Sequence, residues 1–345
     1  MLLLRDCDKS QDSVKQKGGR LEEADSCNNT VAVIGRDDWK LKKLAAMVDF
    51  KREEPNVLLL DTAQYSLDGG AYMEEMEILR IDEILRDKFG MTQRNMDMTQ
   101  PYTRSKSIPR HTLGLKYRIE SSMAGTDVWL AAEDASSVEI FWNGNKASAD
   151  DAGWYVDEHF RKRYLGKTAN GMNSLKISMP YGEDTNLEAV YLLGDFGVKV
   201  QGREAQIVPS AGKLPMGGDI TAQGLPFYGG NVVYKFEVDC PEGRLRIDTP
   251  KYRGAFIGIK IDGERVGELI LSSDSFETHC IAPGIHLVEM ILYGNRYNTF
   301  GALHSACDSR RNEVRPSCWR ERGKMWCDEY NLRPIGILTA PRVYV

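Results

Sequence analysis

From residue 111 onward the hydrophobic pattern has a period of two, and that pattern alone removes most folds from consideration. Leu113, Leu115, Tyr117 and Ile119 alternate with Gly114, Lys116, Arg118 and Glu120. Leu175, Ile177 and Met179 alternate with Ser174, Lys176 and Ser178, and Val232, Tyr234, Phe236 and Val238 with Val233, Lys235, Glu237 and Asp239. Each run puts one face in a core and the other in water, as antiparallel sheets packed in a sandwich require. A parallel α/β sheet would need continuous apolar strands with a helix between them, and neither is found. Two turns sharpen the reading. Residues 138–142 run into Asn143-Gly144, and residues 257–261 into Asp262-Gly263. Both dipeptides accept the positive φ angles of a type I′ hairpin. In each case a loop and a glycine-led strand follow, at residues 171–177 and 284–290. One sandwich topology used twice is the expectation; chance similarity between two β domains is the alternative.

Ahead of this region the periodicity changes. Met73, Met76, Leu79, Ile84, Leu85 and Phe89 lie near one stripe of an amphipathic helix expected over 73–89. Glu74 and Glu75 stand in its first turn, Arg86 and Lys88 in its last, and Gly90 supplies the stop. Residues 31–34 and 57–60 read as short buried strands, the second closed by Asp61. Residues 1–30 are polar and aperiodic, and a disordered or truncated N-terminal segment is the expectation there. Residues 209–230 hold three prolines and six glycines in 22 positions, a density that reads as a linker without strand or helix. The organisation expected is therefore a small α/β segment over 31–110, a first sandwich over 111–208, the linker, and a second sandwich over 231–345.

The bulk properties narrow the partners. A chain of 345 residues, 42% hydrophobic and 28% charged, is globular and long enough for more than one core. A net charge of -5 with both signs interspersed gives no basic face for nucleic acid. No apolar run approaches the roughly 20 residues that span a bilayer, so a membrane is not an expected partner. The opening Met1-Leu2-Leu3-Leu4-Arg5-Asp6 is too short for a signal peptide. A cytoplasmic location is the expectation, extracellular if the N-terminus is truncated. Seven cysteines without a C-x-x-C pair suit thiols in a reducing compartment rather than a zinc ribbon. There is no Gly-x-Ser-x-Gly elbow and no Gly-x-Gly-x-x-Gly loop, so neither a serine hydrolase nor a nucleotide cofactor is supported, and no cofactor is expected.

Five segments resemble a known group. Asn56-Val57-Leu58-Leu59-Leu60-Asp61, Gly153-Trp154-Tyr155-Val156-Asp157, Tyr191-Leu192-Leu193-Gly194-Asp195-Phe196-Gly197-Val198, Gly224-Leu225-Pro226-Phe227-Tyr228-Gly229-Gly230 and Gly294-Asn295-Arg296-Tyr297-Asn298-Thr299-Phe300-Gly301 are similar to segments of large multidomain glycoside hydrolases. These are α-L-rhamnosidase-like or β-galactosidase-like proteins with galactose-binding-type jelly rolls near the C-terminus. The resemblance covers roughly residues 31–345. It implies a C-terminal accessory region, two tandem jelly-roll sandwiches preceded by the small α/β segment, whose catalytic domain lies N-terminal and would be its partner in cis. It carries over no catalytic residue.

The side chains that could do chemistry are few. Glycoside hydrolysis needs two carboxylates facing one another across a cleft. Asp157 and Glu158 are adjacent and would point to opposite faces of a strand; Glu183, Asp184 and Asp195 sit in turns. His279, His286 and His304 match no zinc spacing, and a structural role is expected of them, with no metal site. Aromatic residues are the better candidates, because the C–H face of a sugar packs on a ring while neighbouring polar groups take its hydroxyls. The candidates for weak glycan binding are Trp142 beside its turn, Trp154, Tyr155 and Asp157 after Gly153, Tyr297 and Asn298 in a glycine-bounded loop, and Trp319 near a basic stretch. The competing account makes the tryptophans core plugs or interdomain packing. A non-catalytic, carbohydrate-associated region of a glycoside hydrolase is the leading reading. A complete small hydrolase with an unrecognised carboxylate pair, and a purely structural interaction module, are the alternatives.

Overall fold

The computed structural model describes residues 39–93, 107–133, 135, 138–270, 273–306 and 316–345. The protein is mostly β, with two α-helices among the described residues and antiparallel sheets throughout, apart from one short parallel pairing. The strand expected at 31–34 lies outside the described residues. Residues 40–345 form one compact unit with two hydrophobic cores, each enclosed by two sheets.

The first sandwich has a five-stranded sheet in the order Trp154–Tyr155, Asp157–Lys167, Asp127–Glu133, Val190–Gly194, Asn56–Leu60. Its second sheet runs Gly197–Gln201, Glu204–Val208, His111–Ser121, Gly171–Tyr181, Glu139–Trp142, Asn145–Lys146. The alternation seen in the sequence is the burial pattern. Leu113, Leu115, Tyr117 and Ile119 are buried in one core with Leu58, Leu130 and Leu192, which share one face of the other sheet. Asn56–Leu60 is buried at all five positions and pairs with Val190–Gly194, itself buried throughout.

The second sandwich departs from the order of the sequence. Its six-stranded sheet runs Lys213–Pro215, Met47–Arg52, Val232–Cys240, Gly284–Tyr293, Phe256–Ile261, Glu264–Leu269, and its four-stranded sheet Leu41–Lys42, Arg342–Tyr344, Leu245–Asp248, Ser275–Thr278. The strands at 41–42 and 47–52 thus belong with residues far downstream. Val48 and Leu214 point into the second core beside Tyr234 and Met290. The stretch 209–230 corrects the linker expectation: it holds the strand Lys213–Pro215 and a 3-10 turn, Ile220–Gln223, that Asp219 caps through Thr221 N and Gly224 ends at φ 91°. Pro215 is tolerated because its strand is at the sheet edge, and Leu214, Met216, Ile220, Leu225, Phe227 and Tyr228 are buried.

Both Asn-Gly and Asp-Gly turns form as expected, with Asn143 and Gly144 at φ 49° and 85° and Asp262 and Gly263 at 52° and 87°. The helix is shorter than its periodicity predicts, Ile78–Phe89. Met76–Glu77 is extended and pairs with Thr62–Ala63. The Glu77 carboxylate then caps the helix, accepting from Leu79 N and Arg80 N at 3.0 Å each. Ile78, Ile81 and Leu85 form the buried face, whereas Met73 and Ile84 are exposed.

Candidate functional site

Asp61 follows the fully buried strand Asn56–Leu60 and is itself buried. Its carboxylate accepts from Tyr330 Oη at 2.8 Å and from His304 Nε2 at 3.1 Å, while its carbonyl accepts from Ile78 N at 2.9 Å. The last bond ties it to the start of the helix that Glu77 caps. His304 Nδ1 donates to the Cys327 carbonyl at 2.9 Å, so both ring nitrogens face acceptors. Burial opposes a charged imidazole there. The hydrogen bond and charge of Asp61, helped by the Cys327 carbonyl, outweigh it and hold the His304 pKa above its ordinary value. Glu77 is pushed up to about 7, chiefly by burial and further by the charge of Asp61, against the backbone N–H groups of Leu79 and Arg80. Burial also raises Tyr330 well above the usual phenol range, with Asp61 adding to the effect.

An aromatic face completes the cluster. The Trp326 ring stacks on His304 with centroids 4.7 Å apart, and the Arg80 guanidinium lies 4.0 Å from the Trp326 ring centre. Trp326 Nε1 donates to Asp328 at 2.8 Å and Arg80 to the Glu321 carbonyl at 2.9 Å, so both groups are held in place.

Two cavities meet at this cluster, and Leu59, Asp61, Glu77, His304 and Trp326 line both. The larger, of about 780 Å³, is predominantly polar, with Tyr117, Arg118, Lys199, Glu204 and Tyr330 among its walls. It exists because sheet pairing is interrupted: along one edge of His111–Ser121, Thr62–Leu67 pairs only as far as Lys116, and Glu204–Val208 pairs from Glu120. Residues 117–119 are left facing the gap. The smaller, of about 500 Å³, is predominantly apolar and is built on the rings of Phe160, Tyr191 and Phe300, with Glu133, Asp157 and Glu188 also lining it. Phe300 meets Phe160 and Tyr191 at centroid distances of 5.8 and 5.2 Å. Val156, which lines the same cavity, has φ 64°, a strained conformation for a β-branched residue.

The structure brings Asp157 and Trp319 together at the smaller cavity and distributes the other sequence candidates elsewhere. Trp142 is 3% exposed and donates from Nε1 to the Lys167 carbonyl at 2.9 Å. Tyr155 is equally buried and accepts from Arg296 at 3.2 Å. Asn298 is fully buried, bonding Arg333 through its carbonyl at 2.8 Å and its N–H at 3.0 Å. Tyr297 lies beneath the Arg333 guanidinium at 3.4 Å. Trp154 is exposed on the edge strand. Asp157 accepts from the backbone and ring nitrogens of His159 at 2.9 and 2.8 Å.

Asp61, Glu77, Tyr117 and Tyr330 were not among the sequence candidates. The available signal was Asp61 itself, a carboxylate closing an otherwise apolar strand. Among the described residues no group of three or more His, Cys, Asp and Glu side chains is placed to hold a metal ion, and no helix is long and apolar enough to cross a membrane.

No family model and no curated protein matches the sequence. Among solved structures, a rhamnosidase from Novosphingobium sp. PP1Y aligns over 76% of this chain and 26% of its own length, at 11% identity and a TM-score of 0.28. A β-D-mannosidase from Dictyoglomus thermophilum aligns over 70% and 31%, at 12% identity and a TM-score of 0.25. An anti-sigma factor domain-containing protein from Clostridium clariflavum aligns over 69% and 90%, at 10% identity and a TM-score of 0.21. The chain thus spans less than a third of either hydrolase, and all three are similar to it in part only.

Proposed function

We propose that the chain is a carbohydrate-associated β-sandwich region of a glycoside hydrolase, and that the cavity bounded by Asp61, Glu77, His304 and Trp326 is its glycan site. One observation carries the reading: a buried and a half-buried carboxylate, an imidazole, a guanidinium and an indole converge on one concave polar cavity. That is a combination a sugar uses, with acceptors and donors for its hydroxyls and an indole beside them. The sequence segments that resemble such hydrolases, one of which ends at Asp61, support the same class. A catalytic domain of that class is the partner such a region would serve.

The carboxylates also favour a second reading. Two of them line one cavity, and Glu77, at about 7, has the pKa of a general acid. The hydrogen bonds favour binding instead. Each Glu77 oxygen caps a helix N–H, and the Asp61 oxygens are taken by His304 and Tyr330. Such oxygens keep a lone pair for a ligand hydroxyl, but they are poorly free to move a proton in a reaction.

Calorimetric titration with a glycan panel tests the proposal. Binding of at least one neutral sugar is expected with a dissociation constant on the order of 0.1 to 1 mM, with loss of heat in Trp326→Ala and no turnover of aryl glycosides. Turnover abolished by Asp61→Asn or Glu77→Gln would establish the catalytic reading. Absence of binding across the panel would remove the carbohydrate reading of this cavity.

A further inference from the structure

Tyr117 holds a position that the packing of the protein does not explain. It lies on the inward face of His111–Ser121, 1% exposed, among the residues of the first core. Its hydroxyl is buried and has no hydrogen-bond partner among the described residues. Buried polar groups are nearly always paired, and an unpaired one costs stability that a phenylalanine would not. Tyr117 also lines the polar cavity, where the sheet edge is open, and feels the negative charge of Asp61. The Tyr117 hydroxyl makes no hydrogen bond to Asp61, whose oxygens accept from Tyr330 and His304.

Resting on the carbohydrate reading above, we infer that the Tyr117 hydroxyl is the selecting contact of the cavity, pairing with one hydroxyl of a neutral sugar whose ring lies toward Trp326. A hydroxyl suits because it both donates and accepts, so it satisfies Tyr117 and reaches a free lone pair of Asp61 or Glu77. A uronate or sulfate is disfavoured, because the inner wall carries two carboxylates. Over the whole lining six carboxylates stand against Arg80, Arg118, Lys199, Arg203 and His304, so an anion finds no net attraction.

The test is Tyr117→Phe in the full chain, measured in parallel by thermal melt and by calorimetric titration. The probes are the methyl glycosides of galactose, glucose and rhamnose, galacturonic acid, and the monodeoxy analogues of whichever neutral sugar binds best. The variant is expected to melt at or above the wild-type temperature, because it loses an unpaired group, and to bind the best neutral sugar about tenfold more weakly. Against the one deoxy analogue that lacks the contacted hydroxyl, variant and wild type should bind alike. Wild-type affinity for galacturonic acid should be below that for the neutral sugar. If wild type and variant bind every sugar equally, the inference fails while the carbohydrate reading stands. A lower melting temperature with unchanged affinity also overturns it, since the hydroxyl then serves the fold. Galacturonic acid binding as well as the neutral sugars refutes the class. No binding by the wild type removes both the inference and the reading beneath it.

Discussion

Arg86→Ala should be among the most destabilising single changes available in this protein, and the structure sets its size. Arg86 and Asp82 lie one turn apart on the helix, each 1% exposed. Arg86 Nε donates to both Asp82 oxygens at 3.0 Å, and its terminal nitrogens donate to the carbonyls of Thr92, Glu183 and Thr185 at 3.0, 3.2 and 3.0 Å. Truncation removes all of these bonds. It leaves the Asp82 carboxylate buried, with the Tyr181 hydroxyl at 2.9 Å and the Arg320 guanidinium at 4.0 Å as remaining partners. Breaking a buried pair in this way costs about 3–5 kcal/mol. Arg86→Lys should fall between wild type and alanine, because an ammonium cannot fork across a carboxylate and three carbonyls. The double variant Asp82→Leu with Arg86→Met should recover much of the loss, because no charge is then stranded. Urea denaturation followed by tryptophan fluorescence measures all three through the midpoint at constant slope. A loss below about 1 kcal/mol for Arg86→Ala, or a double variant as unstable as the single, would refute the reasoning.

Stability should also depend on pH with a definite sign. Glu77 and His304 both hold their protons more tightly folded than unfolded. Each therefore contributes stability that is full below its unfolded pKa and is lost as the pH rises through the folded value. The melting temperature should fall from about pH 5 to pH 8, with a shallower fall in Glu77→Gln; a rising profile across that window contradicts the assignment. At Gly294 an added Cβ would stand 2.3 Å from the Gly230 carbonyl oxygen and 2.4 Å from that of Gly229. Gly294→Ala should accordingly cost about 1–3 kcal/mol in a urea melt, and a neutral result would mean that the two segments separate at no cost.

How much of this was legible follows from the range of the forces involved. Alternation and turn chemistry are local, so the long strands and both hairpins stood out. Short edge strands carry little local signal. Leu41–Lys42 has two residues, Lys213–Pro215 is embedded among glycines and prolines, and each is fixed by a partner far away in sequence. The periodicity locates the helix correctly at its glycine end, where one residue decides. It starts the helix too early at the other end, because Glu77 serves as cap and Met76 pairs with Ala63. The candidate site is the extreme case. Asp61, Glu77, Tyr117, His304, Trp326 and Tyr330 come from separate strands and loops, and no spacing rule links them.

The five segments that resemble glycoside hydrolases, in contrast, were legible as residues but not in their role, and the structure supplies a physical one. Asn56 Nδ2 donates to the carbonyls of Phe196 and Gly224 at 2.8 and 2.9 Å, joining three of the segments in one contact. Thr299 donates to the Phe227 carbonyl at 2.8 Å, and Gly294 packs against Gly229 and Gly230. Arg296 forks onto Glu54 while also reaching Tyr155. These residues stitch together strands of both sandwiches. Buried amides, a half-buried ion pair and glycines with no room for a side chain tolerate little substitution. The contacts bear on the joint between the sandwiches rather than on a sugar, and the segment ending at Asp61, with Leu58, Leu59 and Leu60, is the one that also lines the polar cavity beside Glu77 and His304. A sequence resemblance concentrated at such a joint speaks to how the region is assembled, and the ligand has to be read from the cavity.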